Sequence, residues 1–288
     1  MNVLTIYRLT LLEALRRRLL WALAVLTVVV VVLSGFGIWL IVINSPPERV
    51  APLVLVAGIS QLLILTAFMF SFVLAMTAAF LGSPTISADI ESGVLLAIVA
   101  RPISRSELLL GKWLGLATIV LGYAIAAGLL EIAVTNLVTG YGPPDPLVAT
   151  LYLGAQAIVL LSVAVLLSTR MPAIAGGAVA VVLFGLSWMS GVLANAASFF
   201  GLDAVAGTLD AARYVLPLDG LWRGTVFALE PQAVLLAAAA GGERATRIVT
   251  NSPFFSPTGP PPAYLAYVAV WIVIVLAVAA WSFNRREI

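Results

Sequence analysis

Side chains able to do chemistry are scarce in this chain. It contains no Cys and no His among 288 residues, which removes thiol nucleophiles, disulfides and the imidazole most often used as a general base near neutral pH. A metal site would have to be built from carboxylates alone. Inside the long apolar runs only one acidic residue stands well away from an end, Glu131. The densest group of titratable side chains lies elsewhere, in DIESGVLLAIVARPISRSELLLGK at 89–112, where Asp89, Glu91, Arg101, Arg105, Glu107 and Lys112 are interleaved with apolar residues. No nucleophile–base pairing is visible there. Charges of both signs on an otherwise apolar segment suit a surface that another protein touches.

The elements that must hold these groups follow from composition. The chain is 62% hydrophobic and 10% charged, against about 25% charged in soluble domains. Apolar runs of 20 or more residues recur, each long enough for a hydrocarbon core of about 30 Å. We place six spans at roughly 19–43, 53–82, 108–139, 147–168, 172–195 and 264–283, in one all-α transmembrane domain over 1–288. The first run is too long for the 7–15 apolar residues of a signal peptide and is expected to be retained. Trp21 and Trp39 are spaced to reach the two interfacial belts, about 27 Å apart along a helix.

Basic residues set the expected orientation. Arg8, Arg16, Arg17, Arg18, Arg101, Arg105, Lys112, Arg170, Arg285 and Arg286 fall on one side, and only Arg49 falls in the short loops of the other. The positive-inside rule then puts both termini and the 83–107 loop in the cytoplasm. Residues 1–18 are expected to form an amphipathic helix lying in the inner interface against membrane lipids. Its apolar side carries Val3, Leu4, Tyr7, Leu11, Leu12, Leu15 and Leu19, while Ile6, Arg8 and Leu9 blur the pattern. The alternative is a simple extension of the first span.

The 83–107 loop reads as two helical pieces around a break. Ser83 and Pro84 can open a short helix running to about Ala100, with Asp89, Glu91 and Ser92 turned away from Ile86, Ile90, Val94, Leu95 and Ile98. Gly93 weakens that helix by about 1 kcal/mol and offers a place to break it. Arg101-Pro102 stops it, because the residue before proline avoids the α region. Ser104 and Glu107 then have capping-box spacing, with Ile103 and Leu108 placed as the hydrophobic staple, so the next helix should begin near Arg105. A docking surface explains this construction; a loop whose Arg residues only fix topology is the competing reading.

This stretch resembles the signature region of the type-2 ABC transporter permeases, E-x-G-x-L-x-x-L-x-x-R-P-I-S-R followed by G-K. Glu91, Gly93, Leu95, Arg101, Pro102, Ile103, Ser104, Arg105, Gly111 and Lys112 match it; Val94 and Ile98 depart mildly. The ending FNRREI and the segment RYVLPLDGLWRG at 213–224 are similar to further features of that family. The resemblance implies a six-span permease subunit of the prokaryotic plasma (inner) membrane, paired with a second permease copy or paralogue. It implies a cytosolic ABC ATPase subunit as partner, seated on a coupling helix formed by the loop, with Asp89, Glu91, Gly93, Leu95, Arg101, Pro102, Ser104 and Arg105 as the ATPase-coupling residues. The chain has no phosphate-loop sequence. It is therefore expected to be non-catalytic and to bind no cofactor, with ATP and Mg on the partner, and no nucleic-acid partner is expected. An ATP-independent secondary transporter or channel is the alternative.

Two features stay open between readings. Glu131 either lines the substrate path or gate, or bonds a neighbouring helix near the outer interface, since a carboxylate at mid-membrane costs about 2.5–3.5 kcal/mol. The extracytoplasmic segment 196–263 is expected to form short interfacial helices around an outer vestibule, or instead to dock an extracytoplasmic protein, although some loops this long are simply structural.

Overall fold

Apolar runs broken by proline and glycine become a bundle of helices. The computed structural model describes residues 3–16, 18–44, 51–93, 104–240 and 252–286. Within them the helices are α1 Val3–Leu15, α2 Arg18–Asn44, α3 Pro52–Gly82, α4 Pro84–Glu91, α5 Arg105–Thr139 and α6 Pro146–Ser168. They continue with α7 Ala173–Phe199, α8 Asp203–Val215, α9 Asp219–Leu229, α10 Gln232–Ala240 and α11 Pro262–Asn284. No strand occurs among the described residues. Helices α2, α3, α5, α6, α7 and α11 are each long and apolar enough to cross a membrane, and they match the six expected spans to within a few residues. The chain is an all-α multi-pass membrane protein.

Prolines in the first turn open α3, α6 and α11, where a missing N–H leaves no hydrogen bond unmade. Gly140, at φ 71°, closes α5 and donates its N–H to Asn136 O, as a left-handed cap does. Helix α6 is the hub: 67% of its apolar window is buried inside the chain, against 22% for α2 and 17% for α11. The outer helices therefore turn most of their surface to lipid or to another chain. α1, α4, the start of α5, the α6–α7 turn and the end of α11 share one end of the bundle, the basic end.

The helices after α7 depart from the expected interfacial arrangement. α8 and α9 form a hairpin that dips back into the bundle and turns at 216–218. Ser187 Oγ donates to Leu216 O at 3.0 Å, Trp271 Nε1 to Val215 O at 3.1 Å and Gln156 Nε2 to Leu218 O at 3.3 Å. Gln156 lies about 15 Å along α6 from Pro146, so the turn sits well inside the spans. α9 returns beside α6 until Asp145 N donates to Ala228 O at 3.2 Å. Two physical reasons hold it there. Leu221, Trp222, Val226 and Leu229 of α9 are buried, and side chains from α6, α7 and α11 satisfy turn carbonyls that lipid would leave bare.

Candidate functional site

The charged segment singled out in the sequence lies at the basic end. α4 follows α3 almost without interruption, Ser83 keeping helical angles and donating its N–H to Ala79 O. It stops at Glu91, and Gly93 takes φ 71°, a left-handed conformation that costs glycine little. The break expected at Gly93 is therefore where the helix ends. Glu91, Ser92 and Gly93 are exposed. Leu95, Arg101 and Pro102 lie outside the described residues, as does Ile103 of the expected staple.

The chain resumes at Ser104 with the full capping box. Ser104 Oγ accepts from Glu107 N at 3.2 Å, and Ser104 N donates to Glu107 Oε2 at 3.1 Å. Two donors that would otherwise be orphaned at the start of α5 are thus satisfied reciprocally. One turn beyond, Lys112 Nζ donates to Thr85 O at 2.9 Å and pairs with the Asp89 carboxylate. Both side chains are about four-fifths buried, so this pair is better shielded than a surface ion pair. It fastens α4 to α5.

Arg105 is turned inward. Its guanidinium donates to Arg286 O at 2.7 Å, Phe283 O at 3.1 Å and Asn284 O at 3.4 Å. The loop residues Asp89, Ser104 and Arg105 are thus brought into one structured corner, and Glu91 and Gly93 stand on its exposed rim.

Helix α1 completes this end through a stripe other than the leucines expected to meet lipid. Ile6 and Ala14 are buried, while Leu4, Leu9, Leu12 and Leu15 are each more than half exposed. The inward stripe is Ile6–Thr10–Ala14, at helical spacing, with Thr10 half-buried between the two buried residues. It packs on Gly111 and Gly115 of α5, where an added Cβ would stand 2.7 Å from Ile6 Cβ and 2.9 Å from Thr10 Cβ. Ile6 blurred the amphipathic pattern because α1 has two apolar faces, one for α5 and one of exposed leucines. A cavity of about 250 Å³ remains between α1, α4 and α5, lined among others by Thr10, Glu13, Asp89 and Lys112.

At the opposite end Glu131 is 2% exposed and accepts from Ser34 Oγ of α2 at 2.7 Å. Its other oxygen has no hydrogen-bond partner among the described residues. Among those residues no three acidic side chains converge as a metal site requires.

Two groups escaped the sequence reading. Glu230, just after α9, is fully buried, and neither carboxylate oxygen has a hydrogen-bond partner among the described residues. Burial pushes its carboxyl up to about 7, tempered by the nearby Gln61 amide. Burial and then the Glu230 charge push the Tyr141 phenol up as well. Asp219 receives two guanidiniums, Arg223 Nε at 3.0 Å and Arg213 Nε at 3.5 Å. The sequence signal for this cluster was the spacing around Pro217 in RYVLPLDGLWRG. That signal becomes legible only once the chain is known to fold back there.

The family described as ABC-2 family transporter protein matches the chain over residues 4–288. Comparison with the curated proteins gives no match.

Proposed function

The chain belongs to the ABC-2 family transporter proteins, and on that premise we propose that it is the non-catalytic permease subunit of an ATP-driven exporter. The basic end faces the cytoplasm of a prokaryotic cell, at its plasma (inner) membrane. A second permease copy or paralogue completes the translocation path, and a separate cytosolic ATPase, carrying ATP and Mg, seats on the segment from Asp89 to Arg105. ATP-driven closure of the ATPase pair pushes that segment, and the attached spans shift to open the path.

The observation that carries the reading is the joint between α4 and α5. A handle transmits force only if it is stiff where it meets the moving body. Here the capping box fixes the first turn of α5, the Lys112–Asp89 pair holds α4 against it, and α5 runs on into the membrane as a single helix of 35 residues. The exposed rim of Glu91, Ser92 and Gly93 supplies the surface that a partner can touch. A substrate path or gate role for Glu131 belongs to the same proposal, supported by its burial between α2 and α5.

Co-purification of the intact protein with the ATPase encoded beside it tests this. Wild type should retain the ATPase, and Glu91→Arg and Arg101→Glu should lose it while inserting normally. If the ATPase never associates, or the reversals change nothing, the loop only fixes topology.

A further inference from the structure

Arg105 occupies the first position of α5, where the positive end of the helix dipole disfavours a cation. Its guanidinium lies instead against the last turn of α11, where the dipole is negative and carbonyls lack intrahelical partners. It donates to the carbonyls of Phe283, Asn284 and Arg286, and its Cζ stands 5.7 Å from the ring centroid of the fully buried Phe283. Asn284 Nδ2 adds a bond to Ser106 Oγ at 3.1 Å.

The same turn of α11 is tied to the α6–α7 connection. Arg170 Nε donates to Ser282 Oγ at 2.9 Å, Ser282 and Thr169 share a hydroxyl bond of 2.9 Å, and Arg286 donates to Thr169 O at 2.6 Å. Three elements far apart in sequence are thereby laced together through side chains. A solvated tail would need none of these bonds.

We infer that Arg105 is a positioning residue that carries displacement of the coupling segment to α11, the end of the last span serving as its anchor. The inference rests on the proposed ATPase coupling. It assigns Arg105 a part in coupling from inside the chain, leaving the exposed rim at Glu91 to meet the partner. When the start of α5 moves, the carbonyls held by Arg105 move with it, and Arg170 and Arg286 bring the α6–α7 turn along.

Hydrogen exchange followed by mass spectrometry, on the full chain in lipid nanodiscs with its ATPase, separates this from a merely structural bond. In wild type, trapping the ATPase with ATP and vanadate should change exchange both in 104–110 and in 279–286. In Arg105→Gln the change in 104–110 should persist and that in 279–286 should be lost. Arg105→Lys should retain it, because an ammonium still donates to the carbonyls. An undiminished response at 279–286 in Arg105→Gln overturns the inference, as does a wild type that responds only in 104–110. Asn284→Ala removes just the bond to Ser106 and guards against a variant that fails to insert: a weakened response at 279–286 supports the tie, an unchanged one counts against it. If wild type binds no ATPase, the coupling reading fails. The tie is then judged on exchange without nucleotide, which must rise at 279–286 in Arg105→Gln and not in Arg105→Lys.

Discussion

At the basic end Arg105, Arg170 and Arg286 place their guanidiniums on backbone carbonyls, and Lys112 faces Asp89 and a carbonyl together. At the far end Glu131 keeps one carboxylate oxygen unpartnered among the described residues, and Glu230 keeps both. The first arrangement uses cations to satisfy helix ends and so stiffens the joints between helices. The second leaves acids buried with carboxylate oxygens that no hydrogen bond satisfies among the described residues, and at Glu230 burial opposes the charge. A permease needs both kinds of region. On the proposed function, one end would transmit displacement without yielding, and the other would pass between arrangements separated by a small free energy.

The largest effect that would break this contrast lies at Glu230. Its folded value, pushed up to about 7 by burial, stands above the ordinary carboxyl near 4.5, so between those pH values the folded state holds a proton that the unfolded state has released. The cost of burying the group is absent below pH 4.5, grows between 4.5 and 7, and is complete above 7, at about 3 kcal/mol. The thermal midpoint in detergent should therefore fall as pH rises from 5 to 8. Glu230→Gln should remove part of that slope and raise the midpoint at pH 8. A variant with the wild-type slope would show that Glu230 is charged and paired, and the two ends would no longer differ.

Gly111 tests the opposite claim, that the basic end is closely fitted. A Cβ there meets Ile6 Cβ at 2.7 Å and Val3 O at 3.0 Å, and backbone cannot step aside as a side chain can. Gly111→Val should cost about 2 kcal/mol by overpacking, read as faster hydrogen exchange across α1. Unchanged protection would mean that α1 is held by its exposed leucines and lipid.

These two sites also mark where the sequence was readable and where it was not. Span existence, the capping box at Ser104 and the break at Gly93 depend on local spacing and local backbone preference, and each was visible as such. The role of Ile6 was hidden, because amphipathic reasoning assumes one apolar face and α1 has two. The glycines at 111 and 115 read as small residues that let helices approach closely, but their spacing is common in a Gly- and Ala-rich chain and does not name α1 as the neighbour. The α8–α9 hairpin was read as interfacial since its charges at Asp210, Arg213, Asp219 and Arg223 resemble a solvated segment. Only folding shows that these charges pair with one another while Trp222 and Leu221 turn inward. Glu230 offered no local signal, since its burial comes from elements distant in sequence.

The Lys112–Asp89 pair gives a smaller effect that sharpens the basic end alone. At about four-fifths buried on both sides, it falls between an exposed pair and a fully buried one. Lys112→Ala should lower stability by about 1–2 kcal/mol, partly through stranding Asp89. A double-mutant cycle with Asp89→Ala should return part of that loss, since removing both partners leaves no unpaired charge. Strict additivity would show that α4 is held by packing, with the ion pair incidental.

The smallest effect belongs to Ser104. Replacing an N-cap serine by alanine typically costs about 1 kcal/mol, here by releasing Glu107 N and with it the reciprocal bond from Ser104 N to Glu107. A global stability measurement on a six-span protein will barely register this. Exchange of the 105–110 amides should register it clearly, and Ser104→Asp, which can still accept from Glu107 N, should behave like wild type. The comparison with Arg105→Gln is then instructive. Loss of the cap should loosen the start of α5 and leave 279–286 protected, because the carbonyls there are held by Arg105 and by Arg170 through Ser282. Loss of Arg105 should loosen 279–286 and leave the cap intact, because Ser104 and Glu107 bond only each other's backbone and side chain. Two neighbouring residues would then have separable effects at two ends of one joint, as expected of a start that is locally rigid and a tie that reaches outward.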